Sequence, residues 1–332
     1  MTDSYRIYGS EMSPFSVKIR SYFRYKGIPH EWLERTPDNI GEYQKYARLP
    51  LVPLVITPGA EPAGMQDSTP IMAHLDLQFP EPSLHPAGDA ARFLSALLEE
   101  YGDEWGNKPM FHYRWTYEAD QESAARRIAA DNAPGASDAE LEEIARMIRG
   151  RMIPRLSFVG SSDETRDQLE RSYRRQLSLL EQHLAGRPYL FGARPAFADF
   201  GLAPQIYEAG TDPTPAAILD AEAPRVRAWV ERMLDPKNEG DFETWAALGS
   251  TLLPLLRDEV GGVFLPWSDA NARALERGDK EFSLELEGHP FSQNTQKYHA
   301  RSLAALRARY AAVPDKSKLD PILKETNVLN WM

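Results

Sequence analysis

The sequence predicts a small α/β domain followed by a larger all-helical one. Three observations point to it. The first 35 residues carry strand, helix and strand signals in turn. Prolines mark a connector from Glu81-Pro82 to Pro86. Beyond the connector, apolar residues recur at helical spacing. The first domain is therefore expected over residues 1–85.

Each element has a local reason. Tyr5 to Tyr8 is a short apolar-rich run closed by Gly9, read as the first strand. Ser13-Pro14 opens a helix, with Ser13 suited to the N-cap and Pro14 to the first helical position. Phe15, Ile19, Tyr22 and Phe23 recur at i, i+4, i+7 and i+8, which predicts one buried stripe. Gly27 stops that helix, and His30 to Leu33 is the candidate second strand. The β-rich run Leu49 to Ile56 contains prolines, which remove ladder donors, so a strand is expected only if Pro53 begins it. Thr57-Pro58-Gly59 turns the chain and Ala63 to Gln66 returns as a strand. Asp67-Ser68-Thr69-Pro70 starts a second helix with Ile71, Met72 and Leu75 on one face.

In the second half, Ala90, Phe93, Leu94, Leu97, Leu98 and Tyr101 predict one amphipathic helix. Leu169, Tyr173, Leu177, Leu180 and Leu184 predict another over 163–185. Shorter helices are expected at 138–150, 198–209, 223–234, 242–258 and 299–312, with a loop at 132–137. Phe282 to Leu286 alternates, as a hairpin arm would.

Composition narrows the chemistry. The chain has no cysteine, which excludes a protein thiolate nucleophile, a disulfide and a zinc-thiolate site, and no metal is expected. No signal peptide or membrane span is read, so a cytoplasmic location is expected. A net charge of −11 disfavours nucleic acid and anionic membranes as partners. Residues 297–332 carry seven Lys/Arg against three Asp/Glu, which suggests a basic tail on an acidic body or a partner-binding tail.

Four local features stand in a fixed order. Ser13-Pro14-Phe15-Ser16 begins the first helix, Val52-Pro53 stands at the mouth of a β-run, Asp67-Ser68 precedes a helix, and Ala198-Asp199-Phe200 opens a later one. Together they resemble the glutathione S-transferase superfamily, in its serine-type, bacterial-like form with a C-terminal extension. The resemblance implies a thioredoxin-like α/β N-terminal domain and an all-α domain over 86–259; residues 260–332 lie beyond the common core, where it says little, and are expected to pack on the helical domain as an extension. It also implies glutathione as co-substrate and a homodimer.

Residue by residue, the resemblance makes Ser13 the expected activator of the glutathione thiol. A helix N-terminus offers free amides and partial positive charge, and a hydroxyl donating to sulfur favours the thiolate. The plain alternative is that Ser13 only caps its helix. Tyr8 is a rival hydroxyl, or packing. Val52-Pro53 resembles the family's cis-proline site, where the preceding backbone pairs with the tripeptide as a strand pairs with a sheet edge. Asp67 and Ser68 resemble the pair that holds the γ-glutamyl group, with helix capping as the alternative. Asp199 resembles a structural capping-box acid, although Ala196 stands where its hydroxyl partner belongs. Leu51 departs from the family's basic residue, leaving Arg48 or Lys45 to meet the glycyl carboxylate.

The aromatic stretch Glu104 to Trp115 is read as the co-substrate pocket, with Trp105, Phe111, His112, Tyr113 and Trp115 as its walls. The alternative is a domain-interface core. The function implied is glutathione transfer to a hydrophobic electrophile, expected to be aromatic, by thiolate activation, in a detoxification role. The alternative is a non-catalytic scaffold or protein-binding module on the same fold.

Overall fold

In the computed structural model, which describes residues 4–332, strand β1 (Tyr5–Gly9) lies inside a four-stranded sheet. Strand β2 (His30–Glu34) pairs with it in parallel, Ile7 facing Trp32. Strand β3 (Leu54–Ile56) pairs antiparallel on the other side, Ile7 facing Val55, and β4 (Gly64–Gln66) closes the sheet. The order is β2-β1-β3-β4. As the missing amide of proline requires, β3 begins only after Pro53. The Val52–Pro53 bond is cis, and so is Glu81–Pro82 in the connector.

Helix α1 (Pro14–Lys26) makes the crossover between β1 and β2. The Ser13 hydroxyl accepts from the Ser16 amide at 3.3 Å, and Gly27 ends the helix in the left-handed region at φ 63°. Ile19, Tyr22 and Phe23 are buried as the periodicity requires, but Phe15 turns to a cavity wall instead. Helix α2 (Ile40–Tyr46) was not legible, since Tyr43 is its only buried residue and there is no apolar stripe to read. Helix α3 (Ser68–Gln78) buries Ile71, Met72 and Leu75 against the sheet core.

After the connector, α4 (Asp89–Tyr101) passes through a π-helical turn, Gly102–Gly106, into α5 (Asn107–Thr116) without a break. Gly102 is needed there for space. A Cβ on it would lie 2.7 Å from the backbone of Leu202 in α9 (Phe197–Ala209). Helices α6 (Glu118–Asn132) and α7 (Asp138–Met152) pair beside them. Helices α8 (Arg166–His183), α10 (Pro213–Glu222) and α11 (Pro224–Arg232) complete the bundle. Asp199 is fully buried and accepts from the amides of Ala196 (2.8 Å) and Leu190 (2.9 Å) and from the Trp229 indole (2.9 Å). The Asp199 carboxylate thus gains two distant donors beyond its half of the box, while the Asp199 amide, which a hydroxyl at position 196 would have capped, donates to the Ala196 carbonyl at 3.0 Å.

Helix α12 (Trp245–Leu255) continues through a second π-helical segment, Leu256–Phe264, into α13 (Leu265–Arg277). The boundary expected between residues 259 and 260 therefore falls inside an uninterrupted helix. The expected hairpin forms from β5 (Glu281–Leu286) and β6 (His289–Asn294). Helices α14 (Lys297–Ala311) and α15 (Leu319–Glu325) then return to α4. Tyr310 meets Phe93 edge-on at 5.6 Å, and Leu303 and Leu306 are buried. The basic tail does rest on the body, reaching Glu100 through Ser302 and Glu104 through His299.

Candidate functional site

A cavity of about 780 Å³ opens between the sheet domain, the π turn of the α4–α5 helix and the first turn of α14. That volume is within the usual range for a small-molecule site. Val52, Pro53, Asp67 and Ser68 all line it, so one cavity gathers the four residues that the sequence singled out in two separate segments.

The segment before Pro53 is held in place by side chains. Gln66, the last residue of β4, accepts from the amides of Arg48 (2.8 Å) and Leu49 (3.0 Å). Its amide donates to the carbonyls of Leu49 and Leu51, both at 2.8 Å. The Tyr43 hydroxyl of α2 lies 2.9 Å and 2.7 Å from the same carbonyls. Val52 itself is left out of this clamp. Among the described residues its backbone N–H and C=O make no hydrogen bond, so both are available to a ligand strand. Leu49 and Leu51 are 57% and 60% exposed at the cavity mouth, beside Met65 and Ile71. Arg48 lines the cavity and Lys45 does not.

The opposite end is acidic. Asp67 holds φ 78°, and no side-chain cap closes the start of α3, which leaves its first amides and the Ser68 hydroxyl facing the cavity. The Asp67 carboxylate still feels the Thr69 amide, so a helix-start role for this pair and its place on the cavity wall coexist. Burial raises the Asp67 carboxyl above its ordinary range, partly offset by a hydrogen bond from Tyr298. Asp103 and Glu104, presented by the π turn, also line this end. Lys18 of α1 is fully buried beneath it. It donates to Glu99 and Asp103, each at 2.6 Å, and to Thr69 at 3.0 Å, linking the two domains. Burial opposes the Lys18 charge, but the two carboxylates outweigh it and the pKa rises. Burial raises Glu104 and lowers His299 to about 3, so their contact joins two neutral groups near neutral pH.

Ser13 stands apart from the cavity wall. It is half-buried at the start of α1, two residues before Phe15, which does line the cavity. Its oxygen is engaged by the Ser16 amide, and among the described residues its proton is donated to no protein acceptor. The turn before it is pinned by buried Arg114, which donates to the Met12 carbonyl at 3.0 Å while bonded to Glu208 and Asp212. The rival Tyr8 is fully buried and donates to Glu42 at 3.1 Å, away from the cavity. Burial, then Glu42, pushes its pKa up to about 12.

The aromatic pocket expected over 104–115 is not built. Trp105 is buried, donates to Ser172 at 2.9 Å and packs edge-on against Trp267. His112 is fully buried between Ser161 (2.7 Å) and Glu170 (3.3 Å), and burial lowers its pKa. Tyr113 packs on Tyr173, and Trp115 sits in a separate core with Ala124, Ala125 and Ala129. Phe111 is half-buried against Trp115. None of the five lines the cavity; from this stretch only Glu104 and Asn107 do. The interface-core reading is the one the packing supports. The extension supplies the cover, through Trp267 and Phe291, and periodicity on one helix cannot reveal it.

The family model described as the glutathione S-transferase N-terminal domain matches residues 7–83, and that for the C-terminal domain matches residues 163–232. No curated protein matches the chain. Similar solved structures include a GST-like protein from Pseudomonas syringae, 19% identical over 70% of this chain and 67% of that one, TM-score 0.43. A maleylacetoacetate isomerase from Anaeromyxobacter dehalogenans 2CP-1 is 22% identical over 69% of this chain and 89% of that one, TM-score 0.35. A beta-etherase from Sphingobium sp. strain SYK-6 is 19% identical over 75% of this chain and 98% of that one, TM-score 0.48.

Proposed function

This chain belongs to the glutathione S-transferase superfamily, and on that premise we propose that it binds glutathione in the cavity and activates its thiol for transfer to a hydrophobic electrophile. The observation that carries the reading is the convergence of Val52, Asp67 and Ser68 on one cavity at the free N-terminus of α3. The unbonded backbone of Val52 suits the cysteinyl backbone, as a strand edge suits an added strand. The amides of α3 and the Ser68 hydroxyl suit the γ-glutamyl carboxylate, and Asp67 suits the ammonium. Arg48 is the cation placed to meet the glycyl carboxylate in place of a basic residue at position 51.

In this reading Ser13 keeps its proton for the sulfur, since its oxygen already accepts from the helix start. The electrophile lies along the apolar mouth, against Phe15, Leu51 and Met65, and not against the aromatic residues of α5. No helix among the described residues is long and apolar enough to cross a membrane. A cytoplasmic location and a homodimer belong to the same proposal. Because α14 and α15 cover the outer face of α4, the twofold contact would use other surface. A second reading, a scaffold without catalysis, is favoured by the position of Ser13 outside the cavity wall.

The test is retention of the purified chain on immobilised glutathione, followed by conjugation assays with aromatic and aliphatic electrophiles. Retention with turnover supports the enzyme, retention without turnover supports the scaffold, and no retention removes both.

A further inference from the structure

We infer that Tyr298, supplied by the C-terminal extension, is a positioning residue of the glutathione site that orients Asp67 and accepts a hydrogen bond from the ammonium Asp67 holds. The inference rests on the glutathione reading above. The Tyr298 hydroxyl lies 3.1 Å from each carboxylate oxygen of Asp67 and shares its proton between them. A carboxylate has about four acceptor positions, so one hydroxyl leaves room for an ammonium. The phenolic oxygen keeps lone pairs that accept from the same ammonium.

Charge argues for a cation there. Asp67 pairs with no Lys or Arg among the described residues, because Lys18 is spent on Glu99, Asp103 and Thr69. At this end Asp103 is met by Lys18 and Glu104 by His299, so among the described residues Asp67 is the lining carboxylate left for a ligand cation.

Tyr298 is a wall and not a plug. It stands on the first turn of α14, whose Leu303 and Leu306 are buried and whose His299 and Ser302 bond Glu104 and Glu100. With the tyrosine in place the cavity still measures about 780 Å³, and Tyr298 is one of its lining residues. A ligand therefore enters beside it without displacing it.

The experiment is calorimetric titration of the intact chain and of Tyr298→Phe with two ligands: glutathione, and its analogue lacking the γ-glutamyl amino group. At 47% exposure, Tyr298 tolerates the loss of one oxygen without unfolding, which a thermal melt verifies. We expect Tyr298→Phe to weaken glutathione about tenfold, as loss of a hydrogen bond to a charged group does. The analogue should bind both proteins alike, and turnover at saturating glutathione should change less than about twofold. Equal or tighter glutathione binding by Tyr298→Phe overturns the inference, as does an equal loss for both ligands. If the wild-type chain binds no glutathione, the reading beneath it falls as well, which separates the two failures.

Discussion

The hydroxyl of Tyr298 contacts both carboxylate oxygens of Asp67 at 3.1 Å across 231 residues of sequence. One of these residues starts the third helix of the sheet domain and the other starts a helix of the extension, so the cavity is completed only when the far C-terminal segment has docked on α4.

Ser13→Ala should lower transferase turnover by about 10²-fold while barely changing glutathione affinity, since one hydrogen bond to a thiolate is worth roughly 1.5–3 kcal/mol. Asp67→Ala should show the reverse, with affinity lost first. Removal of the Ser13 cap costs about 1 kcal/mol of stability, so melts must accompany the kinetics. Steady-state kinetics in which Ser13→Ala raises only KM would remove Ser13 from the chemistry.

Gln66→Leu should free the segment before Pro53. The substitution deletes bonds to the amides of Arg48 and Leu49 and to the carbonyls of Leu49 and Leu51. Amide exchange at Arg48 and Leu49 should accelerate by about tenfold, and glutathione should bind more weakly. Unchanged exchange would mean that Tyr43 alone holds the segment.

The Glu104–His299 contact gives stability a pH signature. Burial raises Glu104 from 4.5 to about 8, so its contribution is present below pH 4.5 and lost as pH rises to about 8. Burial lowers His299 from 6.5 to about 3, so its contribution is present above pH 6.5 and lost as pH falls towards 3. The two slopes oppose each other between pH 4.5 and 6.5, which makes that window a plateau. From pH 6.5 to 8 the glutamate slope of this pair is unopposed, at most about 2 kcal/mol of lost stability, alongside that of Asp103, which burial also raises to about 8. Urea unfolding across this range should show the decline in wild type and a flatter profile in Glu104→Gln. An identical slope in both would assign the titration to another group.

Gly102→Ala tests the π turn. The added methyl would meet the Leu202 backbone at 2.7 Å, and neither helix has a flexible side chain at that point to yield. A loss of about 1–3 kcal/mol is expected from denaturant titration, with weaker glutathione binding because Asp103 and Glu104 shift together. Unaltered stability would show that the crossing has slack.

Much of the sheet domain was legible because its signals are local. The Ser13-Pro14 start, the strand after Pro53 and the helix after Asp67 each depend on neighbours within a few residues. The long apolar stripes of α4 and α8 were equally plain. What the sequence hid was set by distant partners. The polar clamp by Gln66 and Tyr43 needs loop geometry, and α2 has one buried residue to announce it. The aromatic run of α5 carries the composition of a ligand pocket, yet Trp267, Phe291 and Tyr173 cover it. Tyr298 stood just before the helix read at 299–312, and nothing local in that tail pointed to Asp67.

The most direct test is the pKa of the glutathione thiol in the complex, read from thiolate absorbance against pH for the wild-type chain and for Ser13→Ala. We predict a bound thiol pKa at least about one unit below that of free glutathione, returning towards the free value in Ser13→Ala. A wild-type complex whose thiol titrates as it does in free glutathione would contradict the account and leave a glutathione-binding scaffold in its place.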